Sequence, residues 1–265
     1  MSDFDVKQYW EKRLASNYNL QGVGYISYGK HYNSWMYRVR KKVFHMISDK
    51  VKIDNKSVLD IGPGTGFYLN LWKEHGASFL AGADITETVV KNLSDTNLCD
   101  AIYLQDISKE LEPEIAQRHF DVISAFDVLF HIVDDAGYAK AISNVHNMLS
   151  EGGLFIFSDN FLHNNKSINV HQVSRSLEEI KDLLEQTGFD IVERFPMFVI
   201  MNSPMDASPF ILLLWRIMMA PVKFCNVLGY LVGMSLYPLE LVLIKGCKES
   251  FTTEIMICRK RALAQ

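Results

Sequence analysis

Cysteine is scarce and scattered in this sequence. Cys99, Cys225, Cys247 and Cys258 form no CxxC pair and no Cys/His cluster. Neither a zinc site nor a disulfide framework follows from such spacing, and a reducing, cytoplasmic setting is the simplest expectation. Basic excess is missing too. The chain has 27 Lys and Arg against 31 Asp and Glu, a net charge of −4, whereas a dedicated nucleic-acid binder carries a basic surplus. The opening "MSDFDVKQYW" has no apolar core, so it does not resemble a secretory signal. Internal repeats and low-complexity segments are absent. What is present is a 265-residue chain with 48% hydrophobic residues, enough to bury a full core.

Between about residues 50 and 200, strand-like and helix-like segments alternate. "SVLDI" (57–61), "SFLAGADI" (78–85), "AIYLQDI" (101–107), "HFDVISAFDVL" (119–129) and "LFIFSDNF" (154–161) have β character. Helical segments separate them. "GFYLNLWKEHG" (66–76) ends on a C-capping glycine, and "TETVVKNLS" (86–94) starts on Thr86 as N-cap. "AGYAKAISNVHNMLS" (136–150) is closed by "EGG", and "SLEEIKDLLEQTGF" (176–189) carries Ser176 and Glu179 in capping-box positions. This rhythm predicts an α/β fold, a mostly parallel sheet with helices on both faces. Four parts are expected: an N-terminal helical lid (1–50), a Rossmann-like core (51–202), an apolar helical insertion (203–250) and a last core strand (251–265). In the lid, Trp35, Val39, Val43 and Ile47 share one helical face, with Arg38, Lys41 and Lys42 on the others.

The turn "DIGPGTGFY" after the first strand points to a cofactor. A phosphate-binding P-loop needs Lys and then Ser or Thr after its last glycine; Phe67 and Tyr68 stand there instead. A dinucleotide fingerprint needs a third glycine where Phe67 stands, and Pro63 has no N–H to offer a pyrophosphate. S-adenosylmethionine (SAM) carries no phosphate. Gly62, Gly64 and Gly66 would let the backbone approach its amino acid and ribose closely, and Asp60 can face its ammonium.

"LDIGPGTG" resembles the first motif of the class I SAM-dependent methyltransferases. The resemblance extends in order over residues 50 to 200, and it implies a seven-stranded sheet whose last strand is antiparallel and lies beside the sixth. "FDIVERFPMFVI" (189–200) fits the sixth strand and "TTEIMICRK" (252–260) the seventh. It further implies that Asp84, followed by Ile85, accepts both ribose hydroxyls. Asp106 would bind the adenine amino group and the Ile107 N–H a ring nitrogen, while the fourth-strand motif containing Phe126 closes over the cofactor. A strand-end aspartate in isolation is as often a turn or cap residue.

Methyl transfer needs an aligned nucleophile, exclusion of water and, for a hydroxyl or amine, removal of a proton. His131, after the fourth strand, His163, after the fifth, and His171 are the candidate bases, with His31 in the lid a further one. His171 and Arg175 share a helical face if the helix at 176 starts early, and Arg175 could hold an anionic or hydroxylated acceptor. Tyr28, Tyr32 and Trp35 of the lid, with Tyr9, Trp10 and Tyr25, could supply aromatic faces to the sulfonium or the acceptor; ordinary packing is the competing role. Asp127 and Asp159-Asn160 resemble the acid and amide ligands of metal-dependent catechol-type methyltransferases, but Asp127 is offset from that pattern, and no metal is expected.

The stretch 208–245 is nearly continuous apolar sequence, broken by Pro209, Pro221 and Pro238 and by Arg216, Lys223 and Glu240. A spanning helix would strand the last sheet strand across a membrane, so the stretch is expected to cap the substrate pocket or form a homodimer interface, with peripheral membrane contact as the alternative. The expected activity is methyl transfer from SAM to an oxygen of a small molecule such as a sugar, a polyketide-like compound or a lipid-linked intermediate. An NAD-dependent oxidoreductase and a non-catalytic SAM-binding protein remain the other classes. No Asn-Pro-Pro-Tyr signature follows the fourth strand, which counts against nucleic-acid substrates.

Overall fold

The computed structural model describes residues 4–163, 167–168 and 171–262. In chain order the elements are α1 (Val6–Ser16), α2 (Gly29–Val51), β1 (Ser57–Ile61), α3 (Phe67–Glu74), β2 (Phe79–Asp84), α4 (Glu87–Ser94), β3 (Ala101–Leu104), α5 (Pro113–Ala116), β4 (Phe120–Ala125), α6 (Asp135–Met148) and β5 (Leu149–Asp159). There follow a two-residue pair of strands, β6 (Ser167–Ile168) and β7 (Val173–Ser174), then α7 (Leu177–Thr187), β8 (Phe189–Pro196), α8 (Pro209–Met219), α9 (Asn226–Gly246) and β9 (Glu254–Lys260). Seven strands form one sheet in the order β3-β2-β1-β4-β5-β9-β8. β9 runs antiparallel to both its neighbours, and the other pairs are parallel. This is the Rossmann-like sheet expected from the sequence.

Side chains along a strand alternate between the two faces of a sheet, and the core divides accordingly. Val58, Val122, Ile156, Ile255 and Ile257 join the layer of α2 and α3. Their neighbours Leu59, Ile123, Phe155, Phe157, Met256 and Cys258 join the layer of α6 and α7. Caps act where the sequence places them. Thr86 accepts from the Val89 N–H, Ser176 and Glu179 close a capping box, and Gly188 ends α7 in the left-handed region. One expectation fails at "EGG": α6 ends at Met148 and the glycines lie inside β5, where the register against β4 shifts between Phe120 and Val122. Gly152, at φ +70°, absorbs that irregularity as part of a strand rather than closing a helix.

The N-terminal fifty residues supply two helices with different partners. In α2, Trp35, Val39, Val43 and Ile47 are buried and Arg38, Lys41 and Lys42 exposed, as the helical period predicts. The helix is a full member of the layer on the sheet. Its other partner is α9. A Cβ on Gly233 would lie 2.4 Å from the Trp35 ring, and one on Gly229 would touch Tyr32, so small residues let the two helices meet closely. Glu240 pins the contact. It is fully buried in α9 and its carboxylate accepts the N–H groups of Val199, Ile200 and Met201 at 2.8, 2.9 and 3.3 Å.

Candidate active site

The carboxyl ends of β1, β2, β3 and β4 open onto one cavity of about 990 Å³, counting its solvent-filled mouth. The position is a consequence of topology: β1 pairs with β2 on one side and β4 on the other, so the chain crosses over in opposite directions and leaves a crevice at the strand ends. Gly62, Gly64, Asp84, Ile85, Asp106, Ile107 and Phe126 all line the cavity, as does His131. Residues far apart in sequence thus meet at one cavity; of the expected cofactor residues, Asp60 and Gly66 lie behind its wall rather than in it.

The glycine turn is tight for a physical reason. Gly62, Gly64 and Gly66 have φ of +66°, +53° and +81°, conformations that side-chain-bearing residues rarely adopt. A Cβ on Gly62 would stand 2.4 Å from Val128. The turn is closed by Gly62 N–H donating to Ala83 O and Gly66 N–H donating to Pro63 O, both at 2.8 Å. From the N-terminal side, the Tyr18 hydroxyl donates to Gly64 O at 2.9 Å.

Asp60 sits beneath this turn, 1% exposed. The Trp72 indole N–H donates to Ser124 Oγ, which in turn donates to Asp60 Oδ1 at 2.6 Å. Oδ2 is buried with no hydrogen-bond partner among the described residues. Burial pushes the carboxyl up to about 7, opposed only in part by the Ser124 hydrogen bond. Asp84 is raised to about 6, again by burial, although the Thr86 hydroxyl and N–H donate to its Oδ1. Asp106 accepts the N–H and hydroxyl of Ser108 through Oδ1. Turn geometry and ligand capacity therefore coexist in Asp84 and Asp106, since one oxygen of each organises its turn.

His131 makes the clearest candidate base. Its Nδ1 lies 3.0 Å from the carbonyl oxygen of His171. A carbonyl only accepts, so Nδ1 carries the proton in the neutral ring and Nε2 carries the lone pair. Burial lowers its pKa to about 4, keeping the ring neutral near pH 7. Trp10 of α1 meets it edge-on at 5.0 Å between centroids, and Val6, Trp10 and Leu14 form part of the cavity wall. The cover over the site is therefore α1, which is tied down where the Glu11 carboxylate accepts the N–H groups of Glu87 and Thr88 at the start of α4.

The other candidates go elsewhere. His171 lies beside the cavity, its ring stacked on His131 at 6.2 Å, but does not line it. His163 is on the surface between Asp206 and Glu249, which raise its pKa by hydrogen bonding. α7 begins at Leu177, so His171 and Arg175 share no helix; Ser176 is the cap that prevents an earlier start. Arg175 is buried away from the cavity, paired with Asp135 and lying 3.9 Å from the centroid of the Tyr138 ring. Tyr28, Tyr32 and Trp35 face α8, α9 and the segment around Met201 rather than the cavity. The carboxylates considered as metal ligands have protein partners: Asp127 pairs with Arg40, and Asp159 accepts from the Tyr138 hydroxyl and the Asn160 N–H.

Sequence reasoning missed Arg40 and Tyr37, three residues apart on the face of α2 opposite the Trp35 stripe, and both line the cavity. Arg40 donates to Asp127 Oδ2 from Nε and Nη2, and Asp127 is held at φ +59° by exchange of hydrogen bonds with Ser158. In the sequence Arg40 is one of four basic residues between 38 and 42, and only its place on the helical face opposite Trp35 sets it apart. Tyr68 was likewise missed; it stacks on Phe126 at 4.0 Å in the cavity wall.

Sheet order, glycine turn and the aspartates at successive strand ends define a Rossmann-like protein that holds a nucleoside cofactor without phosphate. The profile of the family described as "Methyltransferase domain" matches residues 32–194, more than half the chain, and the protein belongs to that family. The family uses S-adenosylmethionine, and the residues present fit it. A buried carboxylate oxygen at Asp60 with no donor among the described residues suits an ammonium, and a turn made of glycines, with no side chain of its own at 62, 64 and 66, admits close backbone approach. Over 116 residues the chain is 31% identical to a ubiquinone biosynthesis O-methyltransferase of Coxiella burnetii (strain Dugway 5J108-111), covering 42% of this chain and 47% of that one. It spans about half the length of the curated relatives it matches. Two solved structures share the fold at 14% identity. Magnesium protoporphyrin IX methyltransferase from Synechocystis PCC 6803, with bound SAM, superposes with TM-score 0.57 over 98% of this chain and 99% of that one. The N-methyltransferase NodS from Bradyrhizobium japonicum WM9, with S-adenosylhomocysteine, superposes with TM-score 0.56 over 96% and 98%.

Proposed function

We propose that this protein is a SAM-dependent methyltransferase that methylates an oxygen of a small molecule, with His131 as the base. When bound, SAM supplies a methyl group on a sulfonium, open to in-line displacement. The chain's own residues do the rest. Asp60 and the glycine turn hold the amino acid part, Asp84 the ribose and Asp106 with Ile107 the adenine. Trp10, Leu14 and Tyr37 keep water from the reacting centre, and a hydroxyl brought there finds the Nε2 lone pair of His131 as its proton acceptor. The observation that carries this reading is the fixed tautomer of His131 in the cavity wall. The name of the Coxiella relative, an O-methyltransferase, supports an oxygen acceptor.

The test has two parts. Calorimetry with S-adenosylhomocysteine is expected to show one site per chain, lost or strongly weakened in Asp84→Ala. Transfer of labelled methyl from SAM into a panel of phenols, sugars and amines is expected to favour the hydroxyl acceptors, with His131→Gln reducing the rate. Methylation confined to amines, or a rate indifferent to His131→Gln, would sink the oxygen reading while leaving the cofactor site intact.

A further inference from the structure

Helices α8 and α9 leave a large apolar surface uncovered. On α8, Phe210, Leu213 and Ile217 are 68%, 54% and 62% exposed; at the corner between the helices Phe224 is 81% exposed; on α9, Val227 and Val242 are 64% and 66% exposed. A monomeric soluble protein rarely shows so much contiguous apolar area. None of it lines the cofactor cavity, so the insertion does not cap that cavity. α9 has the length and hydropathy of a membrane span, with only 22% of its apolar window buried. Its inner face, however, lies along α2 through Gly229 and Gly233, and its one acid, Glu240, is locked beneath residues 199–201. The helix therefore offers one face and keeps the other on the protein.

Charge decides what that face fits. The exposed charges of residues 207–248 are Arg216, Lys223, Lys245 and Lys248, and Glu240, with no accessible surface, is the only acid in the stretch. Beside α9, α2 carries Lys30, Arg38, Lys41 and Lys42 exposed against one exposed acid, Asp49 near its end, and Lys41 is paired with Glu74. An apolar, predominantly cationic face, bordered by Glu249 in its ion pairs with Arg194 and His163, stands out on a chain whose net charge is −4. Two copies meeting through this face would bring like charges together. An anionic bilayer takes up both features at once, apolar side chains below the headgroups and cations among them.

We propose that the outward faces of α8 and α9 dock in the plane of an anionic phospholipid membrane, with Phe224 inserted and Arg216, Lys223, Lys245 and Lys248 at headgroup level. The docking is independent of the methyl-transfer reading. It is tested by co-sedimentation of the full chain with vesicles of phosphatidylcholine alone and of phosphatidylcholine with phosphatidylglycerol. Binding is expected to the anionic vesicles and to weaken with salt. Each of Arg216→Gln and Lys223→Gln should lower the partition coefficient about fivefold at low salt, and Phe224→Ser with Ile217→Ser should lower it at all salt concentrations. These positions are exposed, and an unchanged thermal shift with S-adenosylhomocysteine confirms that the variants fold. Equal binding to both vesicle types, no binding to either, or a stable dimer in sedimentation velocity that the Phe224→Ser, Ile217→Ser variant dissolves would each overturn the proposal, the last in favour of a second copy as occupant.

Discussion

Replacing Asp60 with asparagine isolates the electrostatics of the cofactor site. With its carboxyl raised to about 7, Asp60 is half protonated at neutral pH, and Asp84, at about 6, is about one-tenth protonated. A ligand that brings an ammonium to one and ribose hydroxyls to the other favours both charged forms, so binding expels those protons. The expected release is about 0.6 proton at pH 7, about 1.4 at pH 6 and close to zero at pH 9. Calorimetry of S-adenosylhomocysteine in buffers of different ionisation enthalpy measures it directly. Asp60→Asn should reduce the release at pH 7 to about 0.1 proton and weaken binding most at alkaline pH. The same substitution has a signed effect on the free protein. Below the unfolded value of 3.8 both states are protonated; between 3.8 and about 7 only the unfolded carboxyl ionises, and the cost of burying the charge is complete above that window. Stability is thus highest at low pH with respect to this group, and Asp60→Asn should stabilise the ligand-free protein at pH 8, by up to roughly 4 kcal/mol, and do little at pH 4. Wild-type proton release that does not change between pH 6 and pH 9, or is the same in Asp60→Asn, would refute the assignment.

His131→Gln should lower kcat by about 10²–10⁴-fold if the imidazole is the base. Because burial lowers the His131 pKa to about 4, the wild-type rate should lose its base only as pH falls through that value, and its contribution to stability, complete above 6.5, should vanish over the same fall. Arg40→Met leaves Asp127 at the cavity without its cation and should cost about 3 kcal/mol in urea unfolding, with Asp127→Asn in the same background recovering part of it. Glu240→Ala strips the acceptor from three amides and should destabilise by about 3 kcal/mol or more, whereas Glu240→Gln, which keeps one acceptor oxygen, should cost less.

Local chemistry explains which parts of the molecule were legible in the sequence. The alternation of strands and helices follows from periodicity, caps and glycines that act within a few residues of themselves, whereas the antiparallel last strand and most of the cofactor crevice were legible through the resemblance to a known family. Asp84 and Asp106 were legible through the resemblance to the methyltransferase motifs, and Asp60 through its place before the glycine turn; Asp84 ends β2, Asp60 is the last residue but one of β1, and Asp106 lies two residues beyond β3. The substrate side was not legible for the opposite reason. Tyr28, just before α2, and Tyr32 and Trp35 on one side of that helix face α8, α9 and the segment around Met201, while Tyr37 and Arg40, on its other side, reach the cavity. Helical period shows that two faces exist but not which neighbour each will meet. Arg175 illustrates the same limit: its partners Asp135 and Tyr138 approach across the fold from α6. His163 is held by Asp206 and Glu249, whose proximity no spacing rule announces.

The insertion carrying α8 and α9 departs from Pro196 and returns at Glu254, and these two residues are direct partners in the β8–β9 ladder. The sheet therefore sees only a pair of adjacent strand ends, whatever length of chain joins them. Because closure entropy grows slowly with loop length, extra chain at this junction adds little strain to the rest. The junction therefore tolerates extra chain at the sheet, while the packing of α9 on α2, whose Tyr37 and Arg40 line the methyl-donor crevice, ties the inserted helices to the rest of the molecule.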